Sequence, residues 1–213
     1  MVKLFIFDFD GLIFDTESYD LQAFEQLYKS YGSKFPKQQW LSCIGGSLNF
    51  DPYEAVLKAR PHLIREVIRQ ERRQIYQALI SEAEPREGVR DYLDQAKNKG
   101  HTLALASSST RSWVDNHLSL LGLESTFDFI CTADDVERVK PDPELFLHVL
   151  DNFQSEPESA VVFEDSPNGA KAAIRAGIPC VAIPNPTTRD LFFDKQIHLR
   201  VETMSDPILK QLI

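Results

Sequence analysis

Asp8 and Asp10 stand two residues apart at the end of the run LFIFDFDG, with Gly11 directly behind them. An apolar segment that stops on acidic side chains presents them at the carboxyl edge of a sheet, where open α/β folds keep their ligands. There one carboxylate can hold a metal or attack an electrophile while its neighbour gives and takes a proton. Acidic residues after a strand also cap helices or simply face solvent, so the rest of the chain must decide between these roles.

Three further segments bear on that decision. Ser107-Ser108-Ser109-Thr110 follows the apolar run ending at Ala106 and leads into a helical pattern. Hydroxyls and unpaired N–H groups at a helix start can hold an anion without net positive charge, although Ser and Thr also serve there as plain N-caps. Lys140 lies in Val139-Lys140-Pro141-Asp142-Pro143, where two prolines restrain the backbone and Pro143 suits a helix start. An ammonium held beside an aspartate keeps that carboxylate ionised and neutralises incoming phosphate oxygens. Glu164-Asp165 then ends the apolar run 160–163. This second acidic pair supplies what Mg²⁺ needs, because that ion takes oxygen ligands in octahedral array, usually one or two carboxylates with water and substrate phosphate. Asp8, the main-chain carbonyl of Asp10, and Asp165 make such a set, with Glu164 in it or behind it. Four strand ends carrying Asp/Asp, Ser/Ser, Lys and Glu/Asp at one sheet edge point to metal-assisted phosphoryl transfer.

The elements that would position these groups alternate. Apolar strand patterns fall at 3–7, 102–106, 129–132, 160–163 and 180–183, with a weaker one at 198–201; helical patterns fall at 89–98, 111–121, 143–152, 168–176 and 207–212. Strand–helix alternation of this kind predicts a parallel sheet covered on both faces. The stretch from Thr16 to about Ala83 breaks the rhythm with helical patterns only, at 18–31, 37–43, 51–60 and 62–81, punctuated by Pro36, Pro52, Pro61 and Pro85. It reads as an inserted lid of the type that excludes water during chemistry. The expected organisation is an α/β core of residues 1–15 and 86–213 with a helical cap of residues 16–85.

Composition narrows the partners. The 213 residues carry a formal net charge of −9, which argues against a nucleic-acid surface and against anionic membranes. Cys43, Cys131 and Cys180 lie far apart with no C-x-x-C pair, as in a chain with reduced thiols. Asp8 and Asp10 interrupt any secretory h-region, and no apolar run is long enough to span a bilayer, so a cytoplasmic location is expected. The five histidines show no metal-ligand spacing, which disfavours zinc. Thr16 and Glu17 read as the start of the first cap helix, Trp40, Phe50 and Tyr53 as cap core, and Trp113 as packing beneath the serines. No protein partner is inferred.

Taken together, these residues resemble the haloacid dehalogenase (HAD) superfamily over nearly the whole chain. DFDGLIFDTE is similar to its first motif, LASSS to its second, KPDPELF to its third and FEDSPNGAKAAIRAG to its fourth. The helical insert resembles the small α-helical cap of the β-phosphoglucomutase-like branch, which includes CbbY- and YhcW-like hydrolases. The resemblance implies a Rossmann-like parallel core, a Mg²⁺ cofactor and hydrolysis of a small phosphorylated metabolite, with a sugar phosphate expected. Asp8 would attack phosphorus, Asp10 would act as acid and then base, and Lys140 with Mg²⁺ would offset charge, while Ser107 and the Ser108 backbone would hold the phosphoryl oxygens. Dehalogenases and phosphonatases of this superfamily lack the second aspartate, so Asp10 disfavours both. A β-phosphoglucomutase-like isomerase is the alternative. In that family a histidine and an arginine stand where this chain has Asp20 and Leu48, which favours hydrolysis; Arg72 or Arg73 could still contact substrate from the cap.

Overall fold

The computed structural model describes residues 3–82 and 84–213. Six strands, β1 (Leu4–Phe7), β2 (Thr102–Ala106), β3 (Phe129–Cys131), β4 (Ala160–Glu164), β5 (Cys180–Ala182) and β6 (Leu199–Arg200), form one sheet in the order β3-β2-β1-β4-β5-β6. Every pair is parallel. Strand β1 lies at the middle, with Phe7 opposite both Leu105 and Phe163. The strand order reverses there, and the crevice beyond the carboxyl ends of β1 and β4 is where such sheets bind ligands.

Side-chain alternation divides the core. Phe5 and Phe7 point to one face, where Tyr92, Leu93, Val114 and Leu118 cover them; Leu4 and Ile6 point to the other, beneath Phe146, Val149, Ala172 and Ala173. The first pair of covering helices is α5 (Val89–Asn98) and α6 (Arg111–Leu121), the second α7 (Glu144–Phe153) and α8 (Pro167–Arg175), the cap helices being α1 to α4. Small residues in α8 bring it close to the sheet. A Cβ on its Gly169 would fall 1.9 Å from the Glu164 carboxyl, so glycine there lets the helix start sit against that side chain. The C-terminal helical pattern at 207–212 forms as a 3₁₀ helix over Pro207–Gln211.

Between β1 and α5 the regular elements among the described residues are all helices: α1 (Thr16–Ser30), α2 (Lys37–Leu41), α3 (Glu54–Ala59) and α4 (Arg65–Leu79). Helix α1 begins two residues earlier than its apolar pattern because Asp15 caps it, accepting from the Ser18 N–H at 3.0 Å. Helix α3 is shorter than predicted because the Asp51 carboxylate accepts from the Tyr53 N–H and holds the preceding turn. A third apolar cluster binds these helices through Leu21, Phe24, Leu27, Tyr28, Trp40, Val56 and Ile68. No helix among the described residues is long and apolar enough to cross a membrane.

Candidate active site

Asp8 follows the last residue of β1, and its N–H donates to the Phe163 carbonyl at 3.0 Å, which holds it between β1 and β4. Its carboxylate meets Lys140, which the loop after β3 delivers to the floor of the site. The Lys140 Nζ also donates to Glu164 Oε1 and to the Ala106 carbonyl, both at 2.7 Å. Its three N–H groups are thus all engaged, and the side chain is fully buried. Burial alone would lower the Lys140 pKa, but the flanking Asp8 and Glu164 carboxylates outweigh it and hold the group above its usual value. Lys140 therefore underpins Asp8, and contact with a phosphate would require it to exchange one of these bonds.

Asp10 is surrounded by donors. Its Oδ1 accepts from Thr16 Oγ1 at 2.9 Å and Trp113 Nε1 at 2.8 Å; its Oδ2 accepts from Ser109 Oγ at 2.7 Å and Ser107 Oγ at 3.2 Å. Trp113 packs against the core, as its place in the sequence suggests, and has a second role that the sequence did not show. Its ring lines the cavity and its N–H holds Asp10. His117 steadies it by bonding the Trp113 carbonyl through Nδ1 and the Tyr76 hydroxyl of α4 through Nε2. A hydrogen bond to a charged group contributes about 1.5–3 kcal/mol. Trp113→Phe is therefore expected to lower kcat by roughly 10- to 100-fold with KM little changed, as steady-state kinetics would show; an equal loss carried by KM would place Trp113 in binding instead.

Glu164 and Asp165 stand at the end of β4, fully buried. Asp8, Glu164 and Asp165 each offer an oxygen within 4.8 Å of the others, a group able to hold a divalent cation. Their states differ. Glu164 Oε2 already accepts from Ser166 Oγ and the N–H groups of Asp165 and Ser166, whereas Asp165 Oδ1 is buried with no hydrogen-bond partner among the described residues. An orphaned carboxylate oxygen in a buried cluster of acids fits a cation ligand better than one that already accepts from three donors. Behind it, Asn185 Nδ2 donates at 2.8 Å to both Asp165 Oδ2 and Glu17 Oε2. Gly11 has φ +84°, and a Cβ there would lie 2.3 Å from Asp165 Oδ2, so only glycine lets β1 and β4 bring their acids together.

Above this floor, a cavity of about 290 Å³ is lined on its other side by cap residues, including Asp20, Trp40, Ile44, Leu48 and Arg72. Arg72 pairs with Asp20 and lies against the Phe24 and Tyr76 rings. Arg73 is exposed and lines a separate groove with Gln77 and Asn116. Phe50 and Tyr53 pack on the cap core, whereas Trp40 does so and also faces the cavity. Besides the side-chain contacts of Tyr76 with His117 and Glu17 with Asn185, the cap meets the core through its own main-chain carbonyls: Ser108 Oγ donates to the Gly45 carbonyl at 3.1 Å and Asn168 Nδ2 to the Ile44 carbonyl at 2.8 Å. A Cβ at Gly45 would lie 2.0 Å from Ser166 Oγ, and one at Gly46 2.7 Å from the Lys140 carbonyl.

Residues 5–183 match the family described as haloacid dehalogenase-like hydrolase. The chain belongs to this family. It is 41% identical over 214 residues to YhcW of Bacillus subtilis (strain 168), a phosphatase by name, spanning 100% of this chain and 97% of that protein. It is 34% identical over 184 residues to a phosphorylated carbohydrates phosphatase of Thermotoga maritima, covering 81% of each chain. The crystal structure of CbbY from Rhodobacter sphaeroides in complex with phosphate superposes with a TM-score of 0.75 at 25% identity, covering 97% of this chain and 96% of that one.

Within this HAD-family phosphatase the sequence motifs converge as their order predicts, and an aspartate at the sheet edge is the reacting group for small phosphorylated substrates. Of the residues expected at the site, Asp8, Asp10, Lys140, Glu164, Asp165, Ser107 and Ser108 meet around β1, β2 and β4. Ser107 serves Asp10, and Ser108 reaches the cap. Thr16, Glu17, Ser109, Trp113 and Asn185 complete it without having been singled out as site residues. Ser109 carried a signal, its place in the serine run; Asn185 carried none.

Proposed function

We propose that this protein is a Mg²⁺-dependent sugar-phosphate phosphatase that works through an aspartyl-phosphate. The observation that carries this reading is the Asp8 carboxylate, pinned by Lys140 on the floor of a cap-covered cavity with Asp10 beside it. Asp8 attacks phosphorus with an oxygen, the bond to the leaving oxygen breaks, and Asp10 delivers a proton to that oxygen. Asp10 then takes a proton from water, whose oxygen attacks the acyl phosphate, releases orthophosphate and restores Asp8. Four donors already surround Asp10, so handing a proton to the leaving oxygen requires one of those contacts to be exchanged. Asp8 and Asp165, with Asp10 through its main-chain carbonyl and Glu164 behind, would hold Mg²⁺, which would offset the charge of the phosphoryl group.

The test is ³¹P NMR of the protein with Mg²⁺ and a panel of sugar and nucleotide monophosphates. Growth of orthophosphate at the expense of particular esters is expected. Conversion of one sugar-phosphate resonance into another, with little orthophosphate, would replace this reading with an isomerase.

The acidic cluster also predicts a pH signature. Burial pushes the Asp8 and Asp165 carboxyls up, and in Asp8 this exceeds the opposing pull of Lys140; burial raises Glu17 likewise. A group with a raised folded-state pKa gives its full stability below the unfolded value, roughly pH 4 for carboxyls, and loses it as pH climbs through the folded value. In chelator, the melting temperature is expected to fall as pH rises above that range. A cation favours the ionised form, so the gain from added Mg²⁺ is expected to grow over the same interval. Calorimetry with and without Mg²⁺ checks this; a gain independent of pH would remove the cluster as the ion's site.

A further inference from the structure

The cavity wall facing the reacting groups comes from the cap, and its charge is unusual. Arg72 is the one cationic side chain among the lining residues, against the carboxylates of Asp8, Asp10, Glu17 and Asp20. A carboxylate already lies against that cation, while its Nε is buried with no hydrogen-bond partner among the described residues. Its guanidinium pairs with Asp20, and the two side chains are only 16% and 23% exposed. It is also held over the Phe24 ring at 4.9 Å and the Tyr76 ring at 5.1 Å, which limits its freedom to swing towards a ligand. Leu48 adds apolar surface at the cavity mouth, half exposed. A neighbouring cap cavity contains Arg65 and Arg69, but Asp20, Leu48 and Arg72 line both spaces and form the partition between them.

We propose that the Asp20–Arg72 pair selects phosphate monoesters of neutral polyols and rejects substrates that carry a second anionic group. The proposal rests on the phosphatase reading and names its substrate class. A second phosphate, with a charge of about −1.5 to −2, can use Arg72 only by displacing Asp20. That leaves a largely buried carboxylate without its partner and next to added negative charge, an arrangement that is strongly disfavoured. A hydroxyl behaves differently. It donates to the Asp20 carboxylate while the ion pair stays intact, and the carbon skeleton packs on Trp40, Ile44 and Leu48. Discrimination thus comes from a repulsive element against one ligand as much as from attraction to the other.

The test compares kcat/KM for matched pairs sharing one skeleton: glucose 6-phosphate with glucose 1,6-bisphosphate, and fructose 6-phosphate with fructose 1,6-bisphosphate. The wild-type protein with Mg²⁺ is expected to favour the monophosphate by at least about tenfold. Asp20→Asn frees the Arg72 charge and should shift that ratio towards the bisphosphate by about tenfold or more. Leu48→Arg changes a half-exposed residue, so it tests the same point should the Asp20 variant fail to fold; it should move the ratio in the same direction. Equal use of both esters by the wild type, or ratios unchanged in the folded variants, would overturn the proposal while leaving the phosphatase reading intact. Orthophosphate from no ester at all would overturn both.

Discussion

Asp8→Asn is expected to reduce orthophosphate release by about 10⁴- to 10⁶-fold, the scale seen when a covalent nucleophile is removed. Asparagine keeps the shape of the side chain and can still accept a hydrogen bond from Lys140, so the loss will not reflect a collapsed site. The amide cannot form the acyl phosphate, and it withdraws one of the three acids that face one another at the sheet edge. Two measurements belong together here. Phosphate release gives the loss of turnover, and a thermal melt in chelator shows that the variant is folded. Activity within tenfold of wild type in a folded variant would remove Asp8 from the role of nucleophile.

Lys140→Met is expected to unfold more readily by about 3–5 kcal/mol, the cost of breaking a buried ion pair from one side. Three acceptors lose their donor together: Asp8, Glu164 and the Ala106 carbonyl. Methionine is close in length and fills the space against Phe146, whose ring centroid lies 5.0 Å from Nζ, so the penalty is electrostatic more than steric. For a chain of this size the loss corresponds to a fall in melting temperature of roughly 6–20 °C. Urea unfolding in chelator is the direct measurement. A change below about 1 kcal/mol would mean that the carboxylates do not depend on Lys140. Added Mg²⁺ should return part of the lost stability, because it supplies positive charge to the same acids.

Much of this site was legible in the chain because its groups obey local rules. Asp8, Ser107 and Asp165 each follow an apolar run, and in a parallel sheet the ends of such runs fall on one edge. Lys140 was readable for another reason: the prolines beside it mark a restrained loop after β3. Trp113 was not readable in its role. Its place in the first turn of α6 is equally compatible with packing, and only the tertiary position of Asp10 turns its N–H into a donor. The Asp20–Arg72 pair joins α1 to α4 across 52 residues, a separation over which helical periodicity carries no pairing information. Glu17, Asn185 and Asp165 likewise meet only once the start of α1, the end of β4 and the segment after β5 are side by side. The helix limits in the cap moved where a side chain capped a turn, as Asp15 and Asp51 do.

The cap reaches the core with the carbonyls of Ile44 and Gly45, and with two glycines whose missing Cβ atoms leave room for Ser166 and Lys140. Those contacts depend on the path of the chain and hardly at all on which side chains the cap displays. Drift at cavity-facing positions such as Leu48 and Arg72 can therefore retune what enters the pocket while this main-chain part of the latch is inherited unchanged. A lineage built this way can diversify its substrates quickly, since each change of diet leaves the lid and the phosphoryl chemistry beneath it in working order.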